Sequence, residues 1–255
     1  MNRSERHQEI IKLVQLHTSM STNQLADQLG VTPMTIRRDL EYLDQNNLLK
    51  RSHGFARVSP NELIPSIQDR NFLHHEEKLN IARKALLLIK PNQSIILDSG
   101  STTLILSKLM KQEQIPNLTV ITNSLDIARE LSGIYQTILC GGIVQQHHMS
   151  LIGPDAENFF KTKTADLLFL GATGIRDSIG FTTSSPFQYS IKKQMIRSSQ
   201  HPVMLMDSSK FGTNSLNIFC EFQEIKTFIT AKNSANQRIL DEIASLGVRI
   251  LPAND

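Results

Sequence analysis

The sequence predicts an α/β protein in two unequal parts: a short helical segment closed by a hairpin, then a longer segment built on a mostly parallel sheet. Three observations carry this reading. Residues 1–58 hold compact helical periods with capping residues at their ends. Residues 59–75, "SPNELIPSIQDRNFLHH", mix prolines and polar residues with no steady period, which suits a linker. From residue 76 to residue 255, short apolar runs alternate with helical patterns, the rhythm of strands crossed over by helices.

Composition narrows the function classes. Hydrophobic residues make up 40% of the 255 and charged residues 20%, a globular balance with enough chain for a sizeable core. No apolar run approaches the roughly 18–20 residues that span a bilayer, and "MNRSERHQEIIKLV" is unlike a signal peptide, so a cytoplasmic protein is expected. Cys140 and Cys220 have no CxxC or Cys/His spacing and read as reduced core thiols. His74-His75 and His147-His148 lack metal-ligand spacing and read as exposed loop residues; nothing implies a metal or cofactor. A net charge of +3 is too small to identify a partner, so the placement of charge has to.

In the first helix Ile10, Ile11, Val14 and His17 follow a helical period, with Ser4 placed to cap. The second starts at Ser21, which can form a capping box with Gln24; Leu25, Ala26 and Leu29 are its inner stripe and Gly30 its left-handed ending. The third opens with Thr32 as N-cap and Pro33 at the first position, where a missing N–H costs nothing. Helix, glycine turn and helix make a helix-turn-helix pattern.

At 100° per residue Ile36, Leu40 and Leu43 share one face of this third helix, which must be buried. Met34, Thr35, Arg38 and Tyr42 then point away from it, with Arg37 on the flank. A charged helix face is usually only solvated, and Glu41 and Asp44 offer local partners. Here the Ser21 box, the Gly30 turn and the Thr32-Pro33 cap arrive in register, which points instead to a recognition helix meeting base edges. "LLKRSHGFARV" follows as two short strands joined near His53-Gly54, with Lys50, Arg51 and Arg57 available to clamp phosphates. The expected partner is double-stranded DNA. One such small domain covers too little of a specific site, so a homo-oligomer reading paired half-sites is expected.

In the second part "SIILD", "LTVIT", "QTILC", "DLLFL" and "PVMLM" are runs for buried strands. Polar residues follow each: Asp98 to Thr103, Thr122 to Ser124, Gly141-Gly142, Gly171 to Gly174, and Asp207 to Lys210. Open α/β sheets bind ligands at that edge. Gly100 allows close backbone approach, and Ser101, Thr102 and Thr103 bring hydroxyls to the free amides of a helix N-terminus, a combination suited to phosphate. Asp98 and Asp207 can accept from sugar hydroxyls, and Lys210 is a point charge for an anion. Any one such stretch is more often a plain cap; their recurrence at successive strand ends points to a small anionic ligand.

The segment "STNQLADQLGVTPMTIRRDLEYLDQNNLLKRSHGFA" resembles the N-terminal signature of the DeoR family of bacterial transcription regulators, in its Thr-Ile-Arg-Arg-Asp-Leu core and its Arg-x-His-Gly. "LDSGSTT", "TNS", "CGG", "LIGP", "GATGI" and "DSSKFG" resemble that family's sensor domain, which is related to ribose-5-phosphate isomerase folds. The resemblance covers nearly the whole chain. It implies a winged helix-turn-helix over 1–58, a linker over 59–75 and a phosphosugar-sensing α/β domain over 76–255. It implies ligand contacts from Asp98, Gly100, Ser101, Thr102, Thr103, Thr122, Asn123, Gly141, Gly142, Asp207 and Lys210. The sequence departs from the family pattern at Phe55, a glycine in many members; at Gln145, an arginine in many; and at Pro186, Phe187 and Gln188, where acidic residues are usual. The expected function is a DNA-binding repressor of a sugar-utilisation operon, modulated by a phosphorylated sugar. The alternatives are a phosphosugar isomerase carrying a DNA-binding domain, with Asp98, Asp207 and Lys210 as base and electrophile, and a plain oligomerisation module.

Overall fold

The structure is a computed structural model that describes residues 2–17, 19–45, 49–52, 55–57 and 67–253. The chain divides into two compact units, Met1–Leu73 and His74–Asp255.

The first unit runs α1 (Arg3–His17), β1 (Ser19–Ser21), α2 (Thr22–Leu29), α3 (Pro33–Gln45), β2 (Lys50–Ser52), β3 (Phe55–Arg57) and α4 (Ile67–Phe72). Its three strands form an antiparallel sheet in the order β1-β3-β2, with Met20 opposite Ala56 and Ala56 opposite Arg51. Ser21 and Gln24 make the reciprocal capping box, and Gly30 ends α2 at φ 62°, where a Cβ would be strained. Thr32 Oγ1 accepts from the Thr35 amide at 3.2 Å, so Thr32 caps α3. Ile36, Leu40 and Leu43 are buried with Ile10, Ile11, Val14, Leu25 and Leu49 in one core.

Three expectations are corrected here. Ser4 lies inside α1; the cap is Asn2, whose Oδ1 accepts from the Glu5 amide at 2.9 Å while Glu5 accepts from the Asn2 amide at 2.8 Å. Tyr42 does not join the outward face of α3. It packs against the core, its ring stacked on His7 at 4.9 Å and covered by the Arg3 guanidinium at 5.0 Å. The stretch read as linker contains helix α4, and Ile67 is buried while Leu73 packs on the first unit's core. Its apolar residues are too few to show a helical period, so only tertiary packing reveals it. Residues 58–66 lie outside the described residues.

The second unit runs α5 (His75–Leu86), β4 (Ser94–Leu97), α6 (Ser101–Glu113), β5 (Thr119–Thr122), α7 (Leu125–Leu131), β6 (Gln136–Leu139), β7 (Ile143–Gln145), β8 (Ser150–Ile152) and α8 (Pro154–Lys161). It continues with β9 (Ala165–Leu170), β10 (Gly174–Arg176), β11 (Gly180–Thr183), α9 (Pro186–Arg197), β12 (Ser199–Leu205), β13 (Asn217–Glu221), β14 (Thr227–Thr230), α10 (Gln237–Ser245) and β15 (Arg249–Pro252). Seven strands form one sheet in the order β15-β14-β12-β9-β4-β5-β6, every pair parallel. Ile96, Leu168, Leu170 and Met204 pack in one cluster with residues of α8, α9 and α10. The alternate residues Ile95, Leu97, Leu167, Phe169 and Leu205 are also buried and point to the other face, where α5 meets β12, β14 and α6. A sheet buried on both faces must be made of near-continuous apolar runs, which is what the five quoted strands are.

Cys140 and Cys220 are buried free thiols; burial pushes Cys140 up to about 12 and Cys220 well above its ordinary value, so both stay protonated at neutral pH. The histidine pairs were expected on exposed loops. His75 is exposed, but His74 is half-buried at φ 53° before α5, and His148 is buried in the turn between β7 and β8. The His147 side chain lies outside the described residues.

Candidate functional site

On the first unit the outward face of α3 carries Thr32, Pro33, Met34, Arg37 and Arg38, all exposed, with Thr35 half-exposed. The next residue, Asp39, faces inward. It is 2% exposed, and Arg6 donates to it through Nε at 2.6 Å and a second nitrogen at 3.3 Å, with His7 at 2.9 Å. Burial pushes the Asp39 carboxyl up, but the hydrogen bonds from Arg6 and His7 outweigh it and hold the group below its ordinary value. Asp39 therefore ties α3 to α1, and the two arginines that precede it, Arg37 and Arg38, are exposed to solvent. The strands β2 and β3 set Lys50 opposite Arg57 and Arg51 opposite Ala56. His53 lies outside the described residues.

On the second unit the strand order reverses between β4 and β9: the chain proceeds from β4 outward to β6, returns to β9 and proceeds the other way. A crevice opens above the carboxyl ends of two strands at such a reversal. Asp98 follows β4 and Gly171 follows β9. Asp98 is 1% exposed; its Oδ2 accepts from Lys192 of α9 and from the Gly171 amide at 3.2 Å. Lys192 also donates to the Gly171 carbonyl at 2.9 Å and lies over the Phe219 ring at 5.3 Å. Among the described residues, Asp98 Oδ1, Ser99 Oγ and Asn123 Oδ1 are buried with no hydrogen-bond partner. Buried polar atoms are almost always paired, so three orphans just after the neighbouring strands β4 and β5 mark a place where something else completes the bonding.

The first turn of α6 lies beside them. Thr103 Oγ1 accepts from the Gly100 amide at 2.9 Å and donates to the Asp98 carbonyl, so its hydroxyl is spent on the cap. Ser101 and Thr102 are buried, and among the described residues their hydroxyls make no hydrogen bond. The first amides of a helix have no acceptor of their own, which leaves this turn open to an anion.

The remaining strand-end residues spread outward. Thr122 is buried and spent, donating to the Leu97 carbonyl at 2.7 Å and accepting from Ser124 at 3.0 Å. Gly141 and Gly142 are exposed beyond the outer strand β6. Gly142 has a packing reason to be glycine: φ is 128°, and a Cβ would meet the Ile152 carbonyl at 2.6 Å. On the other side, beyond β12, Asp207 accepts from the amide and hydroxyl of Ser209 and faces Lys78 of α5 at 3.9 Å. Burial raises the Asp207 carboxyl, but Lys210, Lys78 and the Ser209 bond hold it below its ordinary value. From Asp207 to Gly141 is four interstrand steps of about 4.8 Å, roughly 19 Å in all. Gly171, Asp98 with Gly100–Thr103, and Asn123 follow the adjacent strands β9, β4 and β5; Gly141 and Gly142 follow β6, one strand further out, and Asp207 follows β12, one strand further out on the other side.

Sequence reasoning missed Lys192, Lys78 and Glu77. Glu77 accepts from the Ser208 amide at 2.5 Å and from its hydroxyl at 2.9 Å, fixing the Asp207–Lys210 loop to α5. A signal for both lysines was present. Lys192 shares the buried stripe of Gln188, Ile191, Met195 and Ile196, and Lys78 that of Ile81, Ala82 and Ala85. A lysine on the apolar stripe of a helix flanking a sheet needs a buried partner. Among the described residues no His, Cys, Asp and Glu cluster suited to a metal is found, and no helix is long and apolar enough to cross a membrane.

Comparison with known proteins assigns each unit. A DeoR-like helix-turn-helix domain profile matches residues 6–62, and a DeoR C terminal sensor domain profile matches residues 73–232. Similar curated proteins include the HTH-type transcriptional regulator YulB of Bacillus subtilis, 34% identical over 89% of this chain and 88% of that one. The glycerol-3-phosphate regulon repressor of Escherichia coli is 31% identical over 85% of this chain and 86% of its own. The lactose phosphotransferase system repressor of Staphylococcus epidermidis is 29% identical over 93% and 96%. Among solved structures, ribose 5-phosphate isomerase A of Methanocaldococcus jannaschii matches 54% of each chain at 19% identity, with a TM-score of 0.38.

Proposed function

The chain belongs to the DeoR family of transcriptional regulators, and on that premise we propose that it is a repressor of a sugar-utilisation operon. In this reading α3 reads operator DNA through Arg37, Arg38 and Met34, while β2 and β3 clamp the backbone with Lys50, Arg51 and Arg57. A phosphorylated sugar binds at the β4/β9 crevice and loosens the grip on DNA. Two relatives named as repressors, of a glycerol-3-phosphate regulon and of a lactose phosphotransferase system, support the direction of regulation and the chemistry of the signal. The observation that carries the effector is the set of buried, unpartnered atoms Asp98 Oδ1, Ser99 Oγ and Asn123 Oδ1 beside the open first turn of α6. The protein acts in the cytoplasm as a homo-oligomer reading paired half-sites.

The crevice binds and does not turn over. Isomerisation needs a base within about 3 Å of a carbon-bound proton. Asp98, the carboxylate that follows β4, is engaged by Lys192, and Gln188 in the first turn of α9 cannot take a proton.

The test is fluorescence anisotropy of the full-length protein on the DNA flanking its own gene, with and without a panel of sugar phosphates. One or more of them should raise the apparent Kd for DNA by at least fivefold. Unchanged DNA affinity across the panel sinks the effector reading, and product formation at enzyme-like rates hands the site to the isomerase reading.

A further inference from the structure

The two edges of the seven-stranded sheet are built differently, and on the homo-oligomer reading above that difference places the contact between copies. One edge is β15, "RILP", which begins at an exposed Arg249 and ends at Pro252. A charge and a residue without an amide are the usual protection of a free edge. The other edge is β6, "QTIL", which has neither, and among the described residues no strand pairs with its far side. The contrast extends past the strand. Between Glu130 and Asp155 no residue is Asp, Glu, Lys or Arg, the longest such interval in the chain.

Exposed apolar residues lie within that interval. Leu139 at the end of β6 is 38% exposed, and Ile143 and Val144 of β7 are 66% and 55% exposed. Their register partners across the hairpin, Ile152 and Leu151, are buried, so β8 faces the core and β7 stands outermost. Leu139 and Ile143 are joined by the Gly141-Gly142 turn and stand at most about 14 Å apart even along an extended chain. A single exposed apolar side chain is ordinary. Several together on a surface without charge mark a protein contact, because charged residues are depleted from interface cores.

The register of β6 fits a second copy of itself. Leu139 lies opposite Thr122 of β5, and the Cys140 amide donates to the Thr122 carbonyl at 3.0 Å. Backbone groups of alternate residues point to opposite sides of a strand, so Ile138 and Cys140 serve β5 while Thr137 and Leu139 turn theirs outward. Two such strands running antiparallel about a twofold axis at Ile138 set Thr137 opposite Leu139 of the partner subunit, and the reverse. Each of these pairs exchanges both its bonds, with the two Ile138 residues facing each other between them. An unrelated strand would have to match this register by chance; an identical one matches it by symmetry. A surface without charge also meets its own image without repulsion. A stable dimer buries roughly 800 Å² on each partner, more than a four-residue strand supplies, and the exposed side chains of β7 extend the contact.

We propose that the free edge of β6, with Leu139, Ile143 and Val144, is a twofold homodimer interface that joins the seven-stranded sheets of two copies edge to edge.

Sedimentation velocity and oxidative cross-linking of the full-length protein at micromolar concentration test this. The parent should sediment as a dimer or as a larger even-numbered assembly. Ile143→Asp with Val144→Asp places charge on exposed positions, so circular dichroism should be unchanged while the dissociation constant of the dimer rises at least a hundredfold. Ile138→Cys should give an intersubunit disulfide under mild oxidation, because facing residues of a non-hydrogen-bonded pair lie within bonding range. The parent, whose thiols are both buried, and Arg249→Cys on the protected edge should give none. An assembly unchanged by the double variant, or cross-linking at Arg249→Cys in place of Ile138→Cys, puts the contact elsewhere and overturns the proposal while the homo-oligomer reading stands. A parent that is monomeric on DNA as well as off it removes that reading, and this inference with it.

Discussion

The two units hold their cations in opposite ways. In the first, Arg37 and Arg38 are neighbours in sequence, exposed to water, and kept outward by a buried Asp39. In the second, Lys192 and Lys78 are buried, far apart in the chain, and each is set against a carboxylate. A DNA backbone is a large anion that comes to the protein's surface, so exposed charge serves and salt screens it. A metabolite of a few hydroxyls must be recognised by groups that water does not already satisfy, so the recognising atoms have to be desolvated. Damage should follow the same division: removing the partner of a buried cation in the second unit costs stability, whereas removing an exposed arginine of the first costs only binding.

The largest effect is expected from Asp98→Ala. It leaves Lys192, 7% exposed, without its anion, and breaking a buried pair in this way costs about 3–5 kcal/mol. Calorimetry of the full chain should show one transition falling sharply while the other holds. Adding Lys192→Met should restore much of the loss, since a methionine of similar length leaves no stranded charge. If Asp98→Ala melts like the parent, the pair is not desolvated and the contrast between the units collapses.

Next is Asp39→Ala, which strips Arg6 and His7 of their shared partner. Charged hydrogen bonds are worth about 1.5–3 kcal/mol, and the loss should appear in the other transition. The sign of the pH dependence follows from the carboxyl being depressed in the folded state. Its contribution is complete above the unfolded value of about 3.9 and is lost as pH falls through the lower folded value. The parent should therefore lose this stabilisation on acidification below about pH 3.9, and Asp39→Ala should have none to lose. Parallel acid profiles for the two proteins would show that Asp39 anchors nothing.

The same division explains what the sequence made legible. The Ser21 box, the Gly30 ending and the Thr32-Pro33 cap are local, each settled by residues within four positions, and all three are found in the structure. The parallel strands announce themselves because a sheet covered on both faces must be apolar throughout. The position of Asp98 and of the Gly100–Thr103 turn at the carboxyl end of β4 was legible because an apolar strand run stops at a polar residue there. Lys192 lies 94 positions from Asp98 and Glu77 lies 131 from Ser208; no local pattern links them. Only the buried stripe of a helix hints that its lysine has a distant partner. Helix α4 and the inward turn of Tyr42 escaped for the same reason: tertiary packing decides them.

A smaller effect, confined to binding, is expected at the exposed arginines. Arg38→Ala removes a side chain that packs on nothing in the core, so circular dichroism and melting should be unchanged. Operator discrimination should fall by about 1–3 kcal/mol, the worth of a base-contacting arginine. Arg37→Ala should behave alike if it too reaches bases, or weaken all sequences equally if it reaches only phosphate. Anisotropy on operator and scrambled DNA separates these outcomes, and unchanged operator affinity in both variants would remove α3 as the reader.

The smallest effect belongs to the hairpin. Its register sets Lys50 directly opposite Arg57 on neighbouring strands, and like charges in that position weaken a two-strand pairing. An anion such as a DNA phosphate over the two strands would relieve that repulsion. Lys50→Gln should accordingly leave the free protein as stable as before or slightly more so. On DNA it should remove about one released counterion, flattening the slope of log affinity against log salt by about 0.9. Between 50 and 200 mM salt, a slope change of that size alters the affinity ratio of the two proteins only about threefold to fourfold. The preferred sequence should not change, because a phosphate contact positions the protein without reading bases. A changed sequence preference with an unchanged slope would make the hairpin a second reader, and the proposed division between clamping hairpin and reading helix in the first unit would have to be redrawn.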